Sequence, residues 1–184
     1  MKKILVSVLI LLLLIIGCDN SVDPIPPKTS GEVTITTLFK NNKSSGFSFS
    51  QGQIIDLPNT NNITPDIIVM VQRDAIGNIL GVFFSSGIGL KPSFYLIRQT
   101  SNLDSAQTFF NNLNEVPETN YVDLAIPVNE NQIWAVKTVE NKYGKILILH
   151  TDAYKDNSNP SSPNEYGEAR FKWMYQPDGS RTFK

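Results

Sequence analysis

Residues Glu168–Tyr175, EARFKWMY, decide the fold class, because their side chains alternate between two faces of an extended chain. Three aromatic residues share one face, namely Phe171, Trp173 and Tyr175, while polar or long side chains occupy the other. A period of two residues predicts a β-strand that turns one face to a hydrophobic core. The next segment, Gln176–Ser180, places Pro and Gly at positions typical of a tight turn.

Shorter runs of the same kind recur along the chain and predict further strands. They are Gly31–Phe39, Phe47–Ser50, Gln53–Leu57, Asp66–Gln72, Ile79–Ser85, Pro92–Gln99, Gln132–Val139 and Lys145–Thr151. Gly52 separates the second run from the third and predicts a tight hairpin with a positive φ at that glycine. Ile146–Leu149 is apolar at every position, which predicts a central strand covered on both faces. Many short strands at this spacing predict an all-β, mostly antiparallel domain that is a sandwich or barrel-like.

One segment has a different period. Ser101–Asn114 places apolar side chains at helical spacing, at Leu103, Ala106, Phe110 and Leu113. Ser101 or Asn102 is a suitable N-cap, and Pro117 helps to end the helix. We therefore expect one short helix near residues 101–114, packed on a sheet by its apolar face.

The first 18 residues, MKKILVSVLILLLLIIGC, have the layout of a secretory signal peptide: a basic start, an apolar stretch, then Gly17 and Cys18. The ending Ile15–Cys18 resembles the lipobox of bacterial lipoproteins. That resemblance implies cleavage after Gly17 and a diacylglycerol on the Cys18 sulfur. The alternatives are an ordinary signal peptide and a transmembrane anchor, although a span needs roughly 20 apolar residues and this run is shorter.

These features divide the chain into three expected parts. Residues 1–17 form the signal peptide, residues 18–30 form a lipidated tether rich in proline, and residues 31–184 form a single β-rich domain. Proline blocks regular hydrogen bonding and favours an extended chain, so the tether is expected to hold the domain off the membrane.

The composition excludes several functional classes. The formal net charge is −1, which leaves no electrostatic footprint for nucleic acid. The only cysteine is Cys18, so its lipidation excludes disulfides, cysteine zinc sites and cysteine catalysis. Among 17 acidic residues no pair is singled out for a carboxylate-based hydrolase. We therefore expect a protein that is not an enzyme.

A few residues are candidates for ligand binding. His150 is the only histidine, and strict alternation would place it beside Ile146 and Ile148. Such a residue is commonly hydrogen-bonded or half-exposed at a strand end, and its functional alternative is a ligand of heme iron or another metal. Aromatic residues are candidates for a stacking platform beside it, although core packing is their common fate; they are Trp134, Tyr154 and Trp173.

Two further groups have weaker functional alternatives. Met70 and Met174 are suited to filling a core, but a thioether also ligates heme iron. The loop from Asp152 to Glu168 is rich in oxygen ligands of the kind that hold calcium, without the spacing of an EF-hand. A solvated polar loop explains the same composition.

Several short segments resemble heme-binding lipoproteins of the HmuY type. They are Gly46–Phe49, Gln51-Gly52, Pro65–Ile67, Lys142–Ile146, Arg170–Tyr175 and Gln176–Ser180. The resemblance implies an all-β domain at the outer membrane or cell surface that captures heme between two axial side chains. The best-known members use two histidines and this chain has one, so the heme-ligand candidates are His150, Met70 and Met174, with no preferred pair.

The expected function is that of a lipid-anchored cell-envelope binding protein that captures heme or another small ligand. The alternative is a structural or assembly lipoprotein that contacts an envelope protein or a polysaccharide. The expected partner is the membrane, through the lipid anchor. We expect the outer membrane, on its periplasmic or surface face, although Asp19 resembles the inner-membrane retention signal of enterobacterial lipoproteins.

Overall fold

The computed structural model describes residues 26–38, 44–157 and 164–183. The predicted signal peptide, Cys18 and most of the tether lie outside the described residues. No helix in the described part of the chain is long and apolar enough to cross a membrane. Helix α1 spans Leu103–Asn112. The strands are β1 Ser30–Thr36, β2 Ser44–Ser48, β3 Gln53–Leu57, β4 Ile68–Arg73, β5 Ile79–Ser85, β6 Phe94–Gln99, β7 Leu124–Val128, β8 Gln132–Lys137, β9 Tyr143–Asp156 and β10 Asn164–Gln176.

The strands form a sandwich with the helix on its outer side. A five-stranded antiparallel sheet, in the order β1-β10-β9-β8-β6, is the middle layer. The sheet β4-β5-β7 and the hairpin β2–β3 form the second layer, and a bridge between Phe47 and Ile67 joins the hairpin to β4. The prediction of an all-β, mostly antiparallel domain with one short helix is confirmed.

Aromatic side chains from both layers fill the core between them. Phe47 and Phe49 of the hairpin region lie 5.0 and 6.0 Å from the ring of Trp173, measured between ring centroids. Phe171 lies 5.9 Å from Phe84 of the second layer in an edge-on arrangement. Such pairs contribute about 0.5–1.5 kcal/mol beyond the area they bury. The aromatic face of β10 therefore holds the two layers together, as its alternation predicts.

The predicted hairpin is present, with β2 and β3 paired in antiparallel register. Gly52 has a φ of +61°, which an L side chain adopts only with strain. A Cβ at that position would also lie 2.8 Å from the carbonyl oxygen of Lys28. The turn therefore needs glycine both for its backbone angle and for the close approach of the N-terminal segment.

The central strand and the helix also agree with the sequence. Ile146 and Ile148 face the sandwich core, while Leu147 faces α1 with Phe110. Asn102 is the N-cap, and its side-chain oxygen accepts a hydrogen bond of 2.9 Å from the backbone N–H of Ser105. The apolar stripe of the helix packs on the outer face of the middle sheet.

The predicted position of His150 beside Ile146 and Ile148 is wrong. The register of β9 against β10 shifts by one residue, because Phe171 pairs with Ile148 and Arg170 pairs with His150. Leu149 is the extra residue of this β-bulge, and a bulge moves all later side chains to the opposite face. His150 therefore lies on the outer face of the sheet, and it is in mid-strand rather than at a strand end.

Three strand assignments differ from the prediction. β7 was not predicted, because the short run LAIPV contains Pro127 and lacks a clear alternation. β9 and β10 extend beyond the predicted runs as one long hairpin, since the polar residues after Thr151 still pair with those before Glu168. The sequence after the Gln176–Ser180 turn also favours a short last strand over 181–184, whereas the described residues there form a single bridge, between Thr182 and Glu115.

Candidate functional site

The long β9–β10 hairpin continues past the part of the sheet that α1 covers. The helix contacts Leu147 and Leu149, and Lys172 reaches it through a hydrogen bond of 3.3 Å to Asn111. Beyond this point the outward side chains of the hairpin have no helix over them. We call this surface the arm face, and it consists of His150, Asp152, Tyr154, Tyr166, Glu168 and Arg170.

The inner side of the same hairpin is packed against the second layer. Ala169 is fully buried, and Gly167 approaches so closely that a Cβ there would lie 3.0 Å from Val71 and 3.1 Å from Val82. The hydroxyl of Thr37 accepts a hydrogen bond of 2.9 Å from the Gly167 N–H. The arm face is therefore presented by a rigid support.

Two tyrosines stack on each other across the arm face. Tyr154 and Tyr166 are cross-strand partners whose ring centroids lie 4.8 Å apart with an interplanar angle of 32°. Tyr154 is 47% exposed, so a large aromatic surface faces solvent. The Tyr166 hydroxyl donates a hydrogen bond to Glu168, and burial together with this carboxylate raises the pKa of Tyr166. The ring of Tyr166 is thus fixed in orientation and its hydroxyl stays protonated.

Two carboxylates lie directly opposite each other beside the tyrosines. Asp152 and Glu168 are cross-strand partners, and both project from the outer face. Like charges in directly opposed positions destabilise a sheet. The pair therefore leaves several oxygen acceptors on the outer face of the hairpin at some cost to the stability of the free domain.

His150 and Arg170 form the next cross-strand pair of the arm face. The Nδ1 atom of His150 lies 2.8 Å from a carboxylate oxygen of Glu130, in the turn between β7 and β8. The side chain of His150 is 48% exposed. Glu130 therefore fixes the orientation of the imidazole ring, while Arg170 supplies a positive charge beside the acidic pair.

A shallow depression of about 440 Å³ adjoins Tyr154. It lies between the hairpin and the β4–β5 turn, and it is lined by Gly77, Asn78, Ile79, Tyr154, Lys155 and Glu165. Glu165 is held by an ion pair with Arg73 of β4. Lys155 and Glu165 face the second layer, so the depression lies on the inner side of the hairpin, and Tyr154 is the residue that it shares with the arm face.

The structure separates the residues proposed as an aromatic platform. Trp134 and Trp173 are 4% and 2% exposed and belong to the sandwich core, whereas His150 and Tyr154 lie on the arm face. The indole N–H of Trp134 donates to Gln132, also within the interior. The four residues therefore do not line one cleft, and the two tryptophans are core residues.

The candidate heme ligands are likewise apart. Met70 is exposed on β4 in the second layer, while Met174 packs near α1 in the middle layer. Met174 lies four residues from Arg170 on β10, and Arg170 is the cross-strand partner of His150. Four residues correspond to a distance of about 13 Å along a strand. The three candidates therefore do not form one cluster within the described residues. The described residues also contain no group of three or more His, Cys, Asp or Glu placed to bind a metal ion.

Sequence reasoning found His150 and Tyr154 but missed Tyr166 and Arg170 as members of the same surface. The missing information was the register of the hairpin. Once Tyr154 is paired with Tyr166, every second residue back along both strands meets its partner, in the pairs Asp152–Glu168 and His150–Arg170. A scan against models of known protein families gave no match to this chain, and a search of curated proteins gave none either.

Proposed function

We propose that this protein is a lipid-anchored, non-catalytic binding protein of the cell envelope, and that the arm face is its ligand site. The observation that carries the proposal is the stacked pair Tyr154–Tyr166 beside the opposed carboxylates Asp152 and Glu168. Aromatic faces bind rings, and carboxylates accept hydrogen bonds from hydroxyl groups. The ligand class that fits this combination best is a neutral saccharide.

Heme is the second candidate ligand, and one observation favours it. Glu130 holds Nδ1 of His150, and a carboxylate in that position commonly orients an imidazole whose other nitrogen binds a metal. The two carboxylates of the arm face disfavour the propionate groups of heme, whereas they favour neutral hydroxyls. We therefore propose saccharides as the first candidate ligand class. The proposed location of the protein is the outer membrane.

The lipid anchor is tested at Cys18. In cells fed a palmitate analogue, we expect the wild-type chain to be labelled and the Cys18→Ser variant to remain unlabelled and unprocessed. Acyl chains stabilise membrane attachment by about 0.8 kcal/mol for each buried CH₂. An intact, unlabelled wild-type chain in the cytosolic fraction would contradict the anchor and the envelope assignment.

Ligand binding is tested by substitution on the arm face. We expect Tyr154→Ala to weaken saccharide binding about tenfold, since a stacking contact of about 1–2 kcal/mol corresponds to that factor. Tyr154→Phe keeps the ring and should bind nearly as well as wild type. Isothermal titration with a panel of envelope oligosaccharides measures both.

Two controls separate the candidate functions. Leu80→Ala removes an exposed side chain of β5 away from the arm face and should leave binding unchanged. Hemin is titrated in parallel, and a Soret shift that is lost in His150→Ala would favour heme. If neither ligand class binds while a protein partner co-purifies from detergent extract, the assembly role replaces the binding role.

A further inference from the structure

One exposed loop combines a rigid backbone with projecting apolar side chains. Residues 86–93 connect β5 to β6, and Ile88 and Leu90 in this loop are 56% and 77% exposed. Gly87 is packed against Pro65, where a Cβ would lie 2.3 Å from the Pro65 carbonyl oxygen, and Gly89 has a φ of +87°. Apolar side chains displayed on such a fixed loop are typical of a contact surface.

The loop is also fastened at its C-terminal side. The Nζ atom of Lys91 donates hydrogen bonds of 2.8 and 3.1 Å to the carbonyl oxygens of Thr138 and Val139. The backbone N–H of Gly87 donates to Pro65 and that of Gly89 donates to Ser86. The exposure of Ile88 and Leu90 is therefore imposed by the hydrogen bonds of the loop rather than by a lack of structure.

The position of the loop in the fold indicates what it faces. One cross-strand row runs through all five strands of the middle sheet, by way of Ser30, Met174, Lys145, Ala135 and Tyr95. Strands β1 and β6 run in the same direction, so the residues before Ser30 and those before Tyr95 leave this row on the same side. We call that side of the domain the entry end.

The length of chain before the entry end limits how far it is from an anchor. Eight peptide units separate Cys18 from Pro26, the first described residue, and they span at most about 29 Å when fully extended. Lys28 already contacts the β2–β3 turn at Gly52, at the entry end. An acyl group on Cys18 would therefore keep the Ile88–Leu90 loop close to the bilayer surface.

We propose that the Ile88–Leu90 loop docks on the lipid bilayer and orients the domain, with the entry end toward the membrane and the arm face away from it. This inference rests on the proposed lipid anchor, and it replaces the expectation that the tether holds the domain off the membrane. The β9–β10 hairpin runs from the entry-end row toward the opposite side of the domain, so docking leaves the Tyr154–Tyr166 pair accessible from solvent. The β4–β5 turn lies beside this distant end of the hairpin and carries Ile76, which is 85% exposed.

The two isoleucines provide a matched pair of reporter positions. The lipidated full chain has no free thiol once Cys18 is acylated, so Ile88→Cys or Ile76→Cys supplies a single site for an environment-sensitive fluorophore. Each labelled protein is reconstituted on vesicles of phosphatidylethanolamine and phosphatidylglycerol, with and without doxyl-labelled lipid. We expect a blue shift and strong quenching of the label at position 88, and no change at position 76.

Each remaining outcome overturns a defined part of the inference. If the proteins fail to float with the vesicles, the anchor is wrong and docking falls with it. If they float and the label at position 88 stays as unquenched as that at position 76, docking is wrong and the anchor stands. Equal quenching at both positions contradicts the orientation. A blue shift at position 88 that rises with protein concentration in the absence of vesicles indicates a second copy of the chain as the occupant.

Discussion

Replacing Lys145 by alanine is expected to remove about 4 kcal/mol from the free energy of unfolding, a large share of the roughly 5–15 kcal/mol typical of a domain. Lys145 lies on β9 under the end of α1 and is only 1% exposed. Its Nζ atom donates hydrogen bonds of 2.8 and 2.7 Å to the carbonyl oxygens of Phe110 and Leu113. Chemical denaturation of the two proteins at pH 7 measures the difference.

The size of the expected loss follows from what the side chain leaves behind. Carbonyl groups at a helix C-terminus have no partner within the helix, and each buried group without a partner costs about 1–3 kcal/mol. The last turn of α1 contains no basic residue, so the cation that complements the helix dipole comes from the strand. The ammonium group also lies 4.7 Å from the ring centroid of Phe110 and 5.1 Å from that of Phe183.

Lys172 provides the matched control, because it reaches the same helix from the neighbouring strand. Its Nζ atom lies 3.3 Å from Asn111 and 5.6 Å from the Phe110 ring centroid, and the residue is half-buried rather than enclosed. We expect Lys172→Ala to cost less than about 1 kcal/mol. Similar losses for the two variants would show that the Lys145 contacts do not stabilise the helix end.

The pH dependence gives Lys145 a second signature. Burial lowers the pKa of Lys145 to about 8, whereas a lysine in the unfolded chain has a pKa of about 10.4. Between these values the unfolded chain binds more protons than the native one, so stability rises with pH in this window. Lys145→Met should abolish that rise, and its persistence in the variant would assign it to other groups.

The strands were predictable where burial follows a simple period. In β10 the aromatic side chains of Phe171 and Trp173 face the core, and the alternation that predicts this involves no special backbone geometry. The β2–β3 hairpin was likewise predictable, because Gly52 marks a turn that only a few residue types adopt. Local sequence was sufficient in both cases.

The candidate site was only partly predictable, because its geometry depends on a long-range register. The bulge at Leu149 reverses the faces of all later residues of β9, and nothing in the run KILILHT marks it. Lys145 opens this run, and its position at the start of a predicted strand does not indicate burial. It is fully buried because carbonyl oxygens at the end of α1 accept hydrogen bonds from its ammonium group. The partners that decide the burial of Lys145 lie more than 30 residues away in the sequence.

Replacing Asp66 by alanine is expected to cost about 4 kcal/mol of stability at pH 4, and less at higher pH. Asp66 precedes β4 and is only 2% exposed. Its carboxyl oxygens accept hydrogen bonds of 2.8 Å from the Phe49 N–H and 2.7 Å from the Val139 N–H. The side chain thus joins the β2–β3 turn to the β8–β9 turn, and its removal leaves two N–H groups without this acceptor, at about 1–3 kcal/mol each.

The wild-type protein should itself lose stability as the pH rises from about 4 to about 6. Burial raises the pKa of Asp66 to about 6, against the lowering effect of the two N–H donors, while an unfolded aspartate has a pKa of about 3.9. Between these values the native state holds a proton that the unfolded chain has released, so stability falls with rising pH. This difference in pKa between the native and unfolded states corresponds to about 3 kcal/mol, so the stability gap between wild type and Asp66→Ala narrows to about 1 kcal/mol at pH 7.

Asp74 supplies a control of opposite sign at the far side of the second layer. It accepts hydrogen bonds from the backbone and side chain of Asn78 in the exposed β4–β5 turn, and these contacts lower the pKa of Asp74. Its contribution is therefore present above the unfolded pKa of aspartate and is lost as the pH falls through the folded value. Denaturation of Asp74→Ala between pH 3 and pH 7 should keep the wild-type decrease, whereas Asp66→Ala should lose it. If the decrease survives in Asp66→Ala, the buried carboxyl between the two turns is not its source.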